Sequence, residues 1–383
     1  MHIYSHCIAK SHQSIKTLAK SLINKLSLFH FMCITEHYNI HNIIKFQINK
    51  EKKDFFWDLN PEYEYFKVDY VEKPDIIVNV GDFKPSIEDT YIVDGKYYIK
   101  WNYLFLRDDK YDVEINGLEM KGPIILNIKP KPKGLRRLWP ILATQNIFLR
   151  PLIWLLFIKK GKILIHGGGV GFNNKGILLA GRAGVYKTTI TMVLVKKGFG
   201  FLGDENIILG ENEILPYPFN IRSYEFKLHY LGREEVNGIN KIRLFKYLSR
   251  DEKLYNLNIF NNGCKLEMGY IIERSLKQNK KLIIDNISRE DFLKKLEISE
   301  KIEMNISPTH TFSEVPCHNF GKLLDAYIYA NPNTALKDIW SRVINIMRQN
   351  IKTKEIYKII LPLKYEKFIG DLIYDHIKKV IDL

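Results

Sequence analysis

A short segment in the middle of the chain most constrains its fold. Residues 176–189, GILLAGRAGVYKTT, read as an apolar strand, a loop with two glycines, a lysine followed by two threonines, and the start of a helix. This order is typical of a phosphate-binding loop, G-x-x-x-x-G-K-[ST], whose backbone N–H groups surround phosphates. Gly181, Lys187 and Thr188 fall on the pattern. Tyr186 stands where the second glycine belongs. The segment therefore predicts nucleotide binding but departs from the pattern at this one position.

Composition narrows the partners without choosing among them. The 383 residues allow two domains or one large one, and the net charge of +15 suits an anionic partner such as a nucleotide, a nucleic acid, a phosphorylated substrate or a membrane surface. Apart from 129–137, the basic residues are scattered, which argues against dedicated nucleic-acid binding. The four cysteines lack C-x-x-C spacing, and we find no secretory signal, so we expect a reducing, cytoplasmic setting.

Two segments resemble targeting or membrane elements only superficially. Residues 1–43 are of uncertain order, and a metal site from His6, Cys7, Cys33 and His37 matches no known ligand spacing. Residues 138–158 are long enough to span a bilayer but are interrupted by polar residues and two prolines. We interpret this stretch as two short buried or amphipathic helices, with contact at a membrane interface as the alternative.

Apolar periodicity divides the chain near residue 160. From 44 to 128, short β-rich runs separated by Asp, Gly and Pro predict an antiparallel region. Beyond it, the patterns predict strands at 162–166, 176–180, 199–209, 265–272 and 356–361, a glycine-rich turn at 167–171, and helices at 188–197, 289–296, 334–347 and 364–380. We expect three parts: the 1–43 segment, a β-rich region over 44–160 that ends in helices, and a nucleotide-binding and catalytic domain over 161–383.

Three short motifs carry a family resemblance. They are Ile165-His166-Gly167, the loop that begins at Gly181, and residues 198–205, GFGFLGDE. Together they resemble the C-terminal catalytic domain of bacterial HPr kinase/phosphorylase, and more closely the HPr-kinase-related kinases. Those proteins are similar in turn to the nucleotide-binding core of ATP-dependent phosphoenolpyruvate carboxykinase. The resemblance covers about residues 160–222, is weaker over 265–296, and implies an α/β fold with this core, preceded by a smaller β-rich α+β region.

The resemblance also implies roles for individual residues. ATP and Mg²⁺ are the implied cofactors, Lys187 contacts the β- and γ-phosphates, Asp204 is the catalytic base, and His166 lies beside it. Thr188, with help from Thr189, and Glu205 are implied near the metal. The full set of expected nucleotide-binding residues is Gly181, Arg182, Ala183, Gly184, Val185, Tyr186, Lys187, Thr188 and Thr189.

Purely structural roles remain open for several of these residues. His166 alone is more often a satisfied core histidine, and Arg222, a candidate for substrate or phosphate binding, is equally well a solvated arginine. Asp204 and Glu205 interrupt an apolar run, where an unpaired charge is costly, and we therefore favour a site role for them. We expect His166 and Asp204 to meet on adjacent strands of one parallel sheet, with the helix between them as the crossover.

Tyr186 is the departure from the pattern that bears on catalysis. A side chain there requires either a negative φ or local strain. Three outcomes follow: a loop that binds nucleotide by a slightly changed path with the ring stacked on its neighbours, a binder with poor catalysis, or a relic that binds no nucleotide.

We therefore expect an ATP- and Mg²⁺-dependent kinase that acts on a hydroxyl of a small molecule, peptide or protein. The alternatives are a nucleotide-binding regulatory protein without transfer activity, and an ATPase that works on nucleic acid, for which the net charge is the motive. HPr kinases assemble as hexamers, so a homo-oligomer is compatible with the resemblance. The acceptor is not implied, and HPr itself is not, because we do not find the downstream signature associated with it.

Overall fold

The computed structural model describes most of the chain after residue 33. The described ranges are 34–50, 63–109, 111–131, 148–218, 257–260, 262–276, 281–303 and 318–381. His6, Cys7, Cys33 and Arg222 lie outside them, as do most of 129–137, the part of 138–158 before residue 148, and most of the 210–262 interval.

The described residues form a mixed α/β structure with two large mixed sheets and six α-helices. The first sheet lies entirely before residue 131. Its nine strands are β1 Ile34–Ile40, β2 Ile44–Lys50, β3 Lys67–Val68, β4 Ile76–Val80, β5 Tyr91–Val93, β6 Tyr97–Lys100, β7 Tyr103–Arg107, β8 Tyr111–Asn116 and β9 Ile124–Pro130.

The first sheet has the order β3-β1-β2-β4-β9-β8-β7-β6-β5. Strands β5 to β9 form an antiparallel meander, but β4 pairs in parallel with both β2 and β9. The prediction of an antiparallel region over 44–128 was therefore wrong for its centre. Alternation of buried and partly exposed residues is the same in both pairings, as the BiBiB pattern of β4 illustrates, so periodicity could not separate them.

A row of polar side chains runs across five strands of the first sheet. The Nδ2 of Asn49 donates to Asn79 Oδ1 and the Nδ2 of Asn79 donates to Asn127 Oδ1, both at 2.8 Å. Asn127 Nδ2 donates to Glu114 Oε2 at 2.6 Å, and Glu114 Oε1 accepts from the Tyr103 hydroxyl at 2.9 Å. The register places the asparagines directly opposite one another. We call this the polar row; it supplies partners to the buried Glu114 carboxylate.

The second sheet begins after residue 160 and carries the predicted loop. Its strands are β10 Ile163–Ile165, β11 Gly167–Phe172, β12 Lys175–Gly181, β13 Gly200–Gly203, β14 Ile207–Leu209, β15 Glu213–Leu215, β16 Cys264–Ser275, β17 Ile283–Asn286 and β18 Glu355–Pro362. At its centre β12, β16 and β18 are parallel, as expected for strands joined by long connections.

Two local predictions in this sheet need correction. Residues 167–171 are not a turn but most of β11, which pairs antiparallel with β12. Gly168 is required there, because a Cβ would meet Thr191 Oγ1 of the overlying helix at 2.1 Å. The predicted strand 199–209 is two strands, β13 and β14, separated by a bend at residues 204–206.

The six described helices pack against the strands of the two sheets. They are α1 Arg150–Lys159, α2 Lys187–Lys196, α3 Arg289–Glu303, α4 His318–Ala330, α5 Ile339–Asn350 and α6 Lys367–Val380. Residues 151–158 of α1 are all buried, so the described part of the 138–158 stretch lies inside the protein. One hydrophobic core includes side chains of both sheets, and the division of the chain near residue 160 stays a prediction.

Direct contacts also join the first sheet and its loops to later parts of the chain. His41 Nε2 lies 2.6 Å from the Pro216 carbonyl oxygen, and Lys160 forms a 2.8 Å ion pair with Asp75. Tyr327 of α4, fully buried, accepts the Asn102 backbone N–H at 2.9 Å and donates to Glu119 at 2.8 Å. In the part of the chain described here, no helix combines the length and the apolar character needed to cross a bilayer.

Candidate functional site

The predicted loop lies between β12 and α2, at the carboxyl end of a central strand. Gly181 ends β12 with a φ of 144°, and a Cβ there would lie 2.5 Å from the Ile272 carbonyl oxygen of β16. Gly184 has a φ of 78° with open space around it. Both glycines therefore hold conformations that side chains disfavour, and Gly184 leaves the loop surface accessible. We call residues 181–186 the 181–186 loop.

Lys187, the first residue of α2, folds back onto this loop. Its Nζ donates to the carbonyl oxygens of Gly181 at 2.7 Å and Arg182 at 2.9 Å, and the residue is only 7% exposed. Burial lowers the pKa of the ammonium. The carboxylates of Glu303, Asp204 and Glu300 act against that shift, in this order. A buried ammonium with a lowered pKa at a helix N-terminus is the kind of group that is common at functional sites.

Tyr186 precedes α2 in the left-handed conformation, with φ 63° and ψ 25°. The sequence allowed a negative φ or strain, and the structure shows the strained alternative. The ring lies between two neighbours: the Arg274 guanidinium carbon is 4.6 Å from its centroid and the Tyr365 ring is 5.2 Å away. Arg274 Nη1 also donates to the Gly184 carbonyl at 2.8 Å. The aromatic and cation–π contacts hold the tyrosine in a backbone conformation normally left to glycine.

Asp204 and Glu205 form the bend between β13 and β14, and Asp204 is buried while Glu205 has a φ of 71°. His166 occupies the equivalent break between β10 and β11. The strands that carry them pair antiparallel, β10 with β14 and β11 with β13. The predicted parallel pairing was wrong, yet the predicted neighbourhood exists, because the Gly167 N–H donates to the Glu205 carbonyl at 3.1 Å.

The electrostatic surroundings hold His166 neutral. Burial lowers the pKa of the imidazole well below its ordinary value, and the charges of Lys187, Arg150 and Arg182 lower it further. A hydrogen bond with the Glu205 backbone opposes the shift without reversing it. The structure thus brings His166, Lys187 and the 204–205 bend together.

The remaining predicted residues lie around the same loop. Arg182, Ala183 and Gly184 are exposed, Val185 is buried, and Thr188 and Thr189 are partly exposed in the first turn of α2. The Glu205 carboxylate lies 3.6 Å from Arg150 Nη2. Among the residues that the structure describes, no three His, Cys, Asp or Glu side chains are grouped as a metal cage.

Two glutamates at the end of α3 belong to the site and were missed from the sequence. Glu300 is 1% exposed, and its Oε1 accepts the His166 backbone N–H at 2.8 Å. Burial raises the pKa of Glu300 to about 8; the hydrogen bond from His166 lowers it, the Glu303 carboxylate raises it and the Lys187 charge lowers it. Glu303 contacts the 181–186 loop directly. Their spacing, three residues apart on one helical face, is too common to have singled them out.

A cavity of about 1080 Å³ lies at the opposite end of the second sheet, beside the start of β18. Its lining includes Arg289, Arg348 and Lys352 but none of the predicted site residues. In the 181–186 loop, Arg182, Ala183 and Gly184 are exposed.

No family model matches the chain, and no curated protein matches it either. The function of the protein must therefore be inferred from the residues of the site.

Proposed function

We propose that the protein is an ATP-dependent kinase whose nucleotide-binding core is of the HPr kinase and phosphoenolpyruvate carboxykinase type. The observation that supports this most directly is the position of Lys187. It is buried at the start of α2, its Nζ is held on the two carbonyls of the 181–186 loop, and the charge of Asp204 acts on it. A lysine in this setting neutralises phosphate charge, which is the main task in phosphoryl transfer.

The loop fits the phosphates of a nucleotide in two respects. Gly184 holds a positive φ with open space around it, which leaves the backbone open to close approach, as a phosphate cradle needs. The Ala183 N–H and the Arg182 guanidinium already bind a carboxylate, so they are aimed at an anionic oxygen. In this proposal the loop amides, Arg182 and Lys187 hold the β- and γ-phosphates of ATP.

Mg²⁺ suits the donor set at this site without an all-protein cage, because it commonly takes one or two carboxylates and completes its shell with phosphates and water. Thr188 supplies a hydroxyl in the first turn of α2. Glu205, the other expected metal neighbour, faces the Arg150 guanidinium, which makes it the weaker donor. When bound, Mg²⁺ would neutralise charge on the phosphates.

Asp204 and His166 have separate tasks in this scheme. Asp204 accepts the proton of the acceptor hydroxyl while that oxygen bonds to the γ-phosphorus, and the bond from phosphorus to the β-phosphate oxygen breaks to release ADP. His166 is neutral and hydrogen-bonded to the Glu205 backbone, so it fixes the bend that presents Asp204.

A transfer assay with labelled ATP and a panel of small-molecule, peptide and protein hydroxyls tests the proposal. We expect Lys187→Ala and Asp204→Asn to lose about 100-fold or more of the transfer rate, since each removes a charge that acts on the transferring phosphoryl group. Lys196→Ala, at the exposed far end of the same helix, is the matched control and should retain the wild-type rate. Equal rates in all four proteins would contradict these roles.

A nucleotide-binding protein without transfer activity is the second candidate. It is favoured by the left-handed Tyr186 and by the pairing of Glu205 with Arg150, both of which depart from what an active phosphate site needs. A Mg²⁺-dependent rise in melting temperature with ATP, together with no phosphorylated product across the acceptor panel, would select it over the kinase.

A further inference from the structure

Glu303, at the end of α3, reaches the 181–186 loop from a distance of 120 residues in sequence. Its Oε1 accepts from the Ala183 N–H at 3.0 Å and from Arg182 Nη1 at 3.1 Å. Its Oε2 lies 3.8 Å from His166 Nε2, and the side chain is 16% exposed. Glu303 is also the carboxylate that acts most strongly on the Lys187 ammonium. One carboxylate thus contacts or influences each group that would hold a phosphate.

The donors of the loop explain why Glu303 turns toward it. The loop before α2 offers a backbone N–H, a guanidinium and a helix N-terminus, each of which stabilises an anion. Hydrogen bonds to a charged group are shorter and stronger than neutral ones, so the contact holds the end of α3 against the loop.

We propose that Glu303 is an internal competitor for the phosphate position of the loop, and that a nucleotide polyphosphate must displace it to bind. The identity of the ligand rests on the kinase proposed above; the competition itself rests on the Ala183 and Arg182 contacts. The single Ala183 N–H cannot serve a carboxylate and a phosphate at once, and a phosphate must compete for the Arg182 Nη1 donor that Glu303 occupies. Glu303 therefore lowers nucleotide affinity and acts as an autoinhibitory contact between α3 and the loop.

The competition has a thermodynamic consequence. Apparent affinity is proportional to the fraction of molecules whose loop is not occupied by Glu303. Any event that draws the end of α3 away raises nucleotide affinity without changing the loop. By linkage, nucleotide binding favours release of α3 to the same extent.

Titration calorimetry on the full chain tests this, with Mg·ATP and with inorganic tripolyphosphate as separate ligands. Glu303→Gln keeps the side-chain size and removes the charge, and Glu303→Ala removes the contact. We expect both variants to bind tripolyphosphate and Mg·ATP about tenfold tighter than wild type, the change expected from losing one charge-assisted hydrogen bond. Glu297→Gln is the matched control, because that glutamate pairs with Lys301 on the same helix at 2.6 Å and should leave affinity unchanged.

The two ligands separate failure of this inference from failure of the proposed function. Unchanged or weaker tripolyphosphate binding in both Glu303 variants, with wild-type circular dichroism and melting, overturns the competition. Tighter tripolyphosphate binding with no ATP binding in any protein upholds the competition and rejects the kinase. Equal ATP affinity in wild type and both variants leaves the kinase standing and overturns the competition. If Glu303→Ala melts early, Glu303→Gln decides the result alone.

Discussion

The polar row of the first sheet and the surroundings of the 181–186 loop differ in how their buried polar groups are partnered. In the polar row of the first sheet, Asn79, Asn127 and Glu114 are joined by hydrogen bonds of 2.6 to 2.8 Å. Around the loop of the second sheet, Glu300 Oε2 and Thr191 Oγ1 have no hydrogen-bond partner among the described residues, although both residues are buried. A satisfied polar network specifies a structure, whereas unsatisfied buried groups are costly and persist where function requires them. The contrast favours a structural role for the polar row and, in the function proposed above, a chemical role for the groups around the loop.

Breaking the polar row should have the largest effect on stability. Asn127→Ala removes the acceptor of Asn79 Nδ2 and a donor to the buried Glu114 carboxylate. We expect a loss of about 3 kcal/mol in the free energy of unfolding, because both remaining groups stay buried without their partner. Urea denaturation measures it, and Gln349→Ala, an exposed amide on α5, serves as control. A loss no larger than that of the control, or a weakened nucleotide affinity, would contradict the structural role.

The buried Glu300 of α3 should change how the stability of the protein depends on pH. The pKa of Glu300 is about 8 in the folded protein, against an ordinary value of 4.5, so between these values the folded state binds a proton that the unfolded state does not. The wild type therefore loses stability as the pH rises from about 5 to above 8. Glu300→Gln keeps the acceptor for the His166 N–H but cannot ionise.

Melting curves of wild type and Glu300→Gln from pH 5 to 9 measure that difference. We expect the wild type to lose stability across this range while the variant does not, since its buried amide carries no charge at any pH. Parallel curves for the two proteins would show that Glu300 is ionised in the fold already at neutral pH.

The smallest effect concerns the strained backbone at Tyr186. With φ at 63°, glycine should be tolerated better than alanine there, by about 1 kcal/mol, because both variants lose the ring contacts with Arg274 and Tyr365 but only alanine keeps the strain. Denaturation of Tyr186→Gly and Tyr186→Ala tests the order. At Arg342, exposed within α5, the order should reverse, since glycine weakens an ordinary helix. The same order at both positions would mean that Tyr186 is not strained.

The sequence was most informative where structure is local. Predicted strands at 76–80, 265–272 and 356–361 and the helix at 188–197 were confirmed to within a few residues, because apolar periodicity and flanking glycines determine such elements. The family resemblance put Gly181, Lys187 and His166 in one site, and these three residues interact in the structure. Their roles in catalysis stay predictions.

Non-local features could not be deduced in this way. The antiparallel pairing of β11 with β13 depends on how the chain returns, and the glycines of β11 gave the same signal as a turn. Glu300 and Glu303 lie more than 110 residues beyond Lys187. Their helix contains several charged residues, a pattern that is typical of a solvent-exposed helix. Only the fold shows that the two glutamates face the loop.

The contact of Tyr327 with the first sheet can form only after most of the chain has been synthesised. Tyr327 bonds with the backbone of Asn102, 225 residues earlier, and its helix α4 packs on β5 and β6 at one edge of the first sheet. Contacts so far apart in sequence slow folding, and a chain emerging from the ribosome has its N-terminal strands long before α4 exists. During that interval the β5 edge has no cover, and an uncovered edge strand invites pairing with other chains. The first sheet therefore stands to gain from a chaperone until synthesis has passed α4.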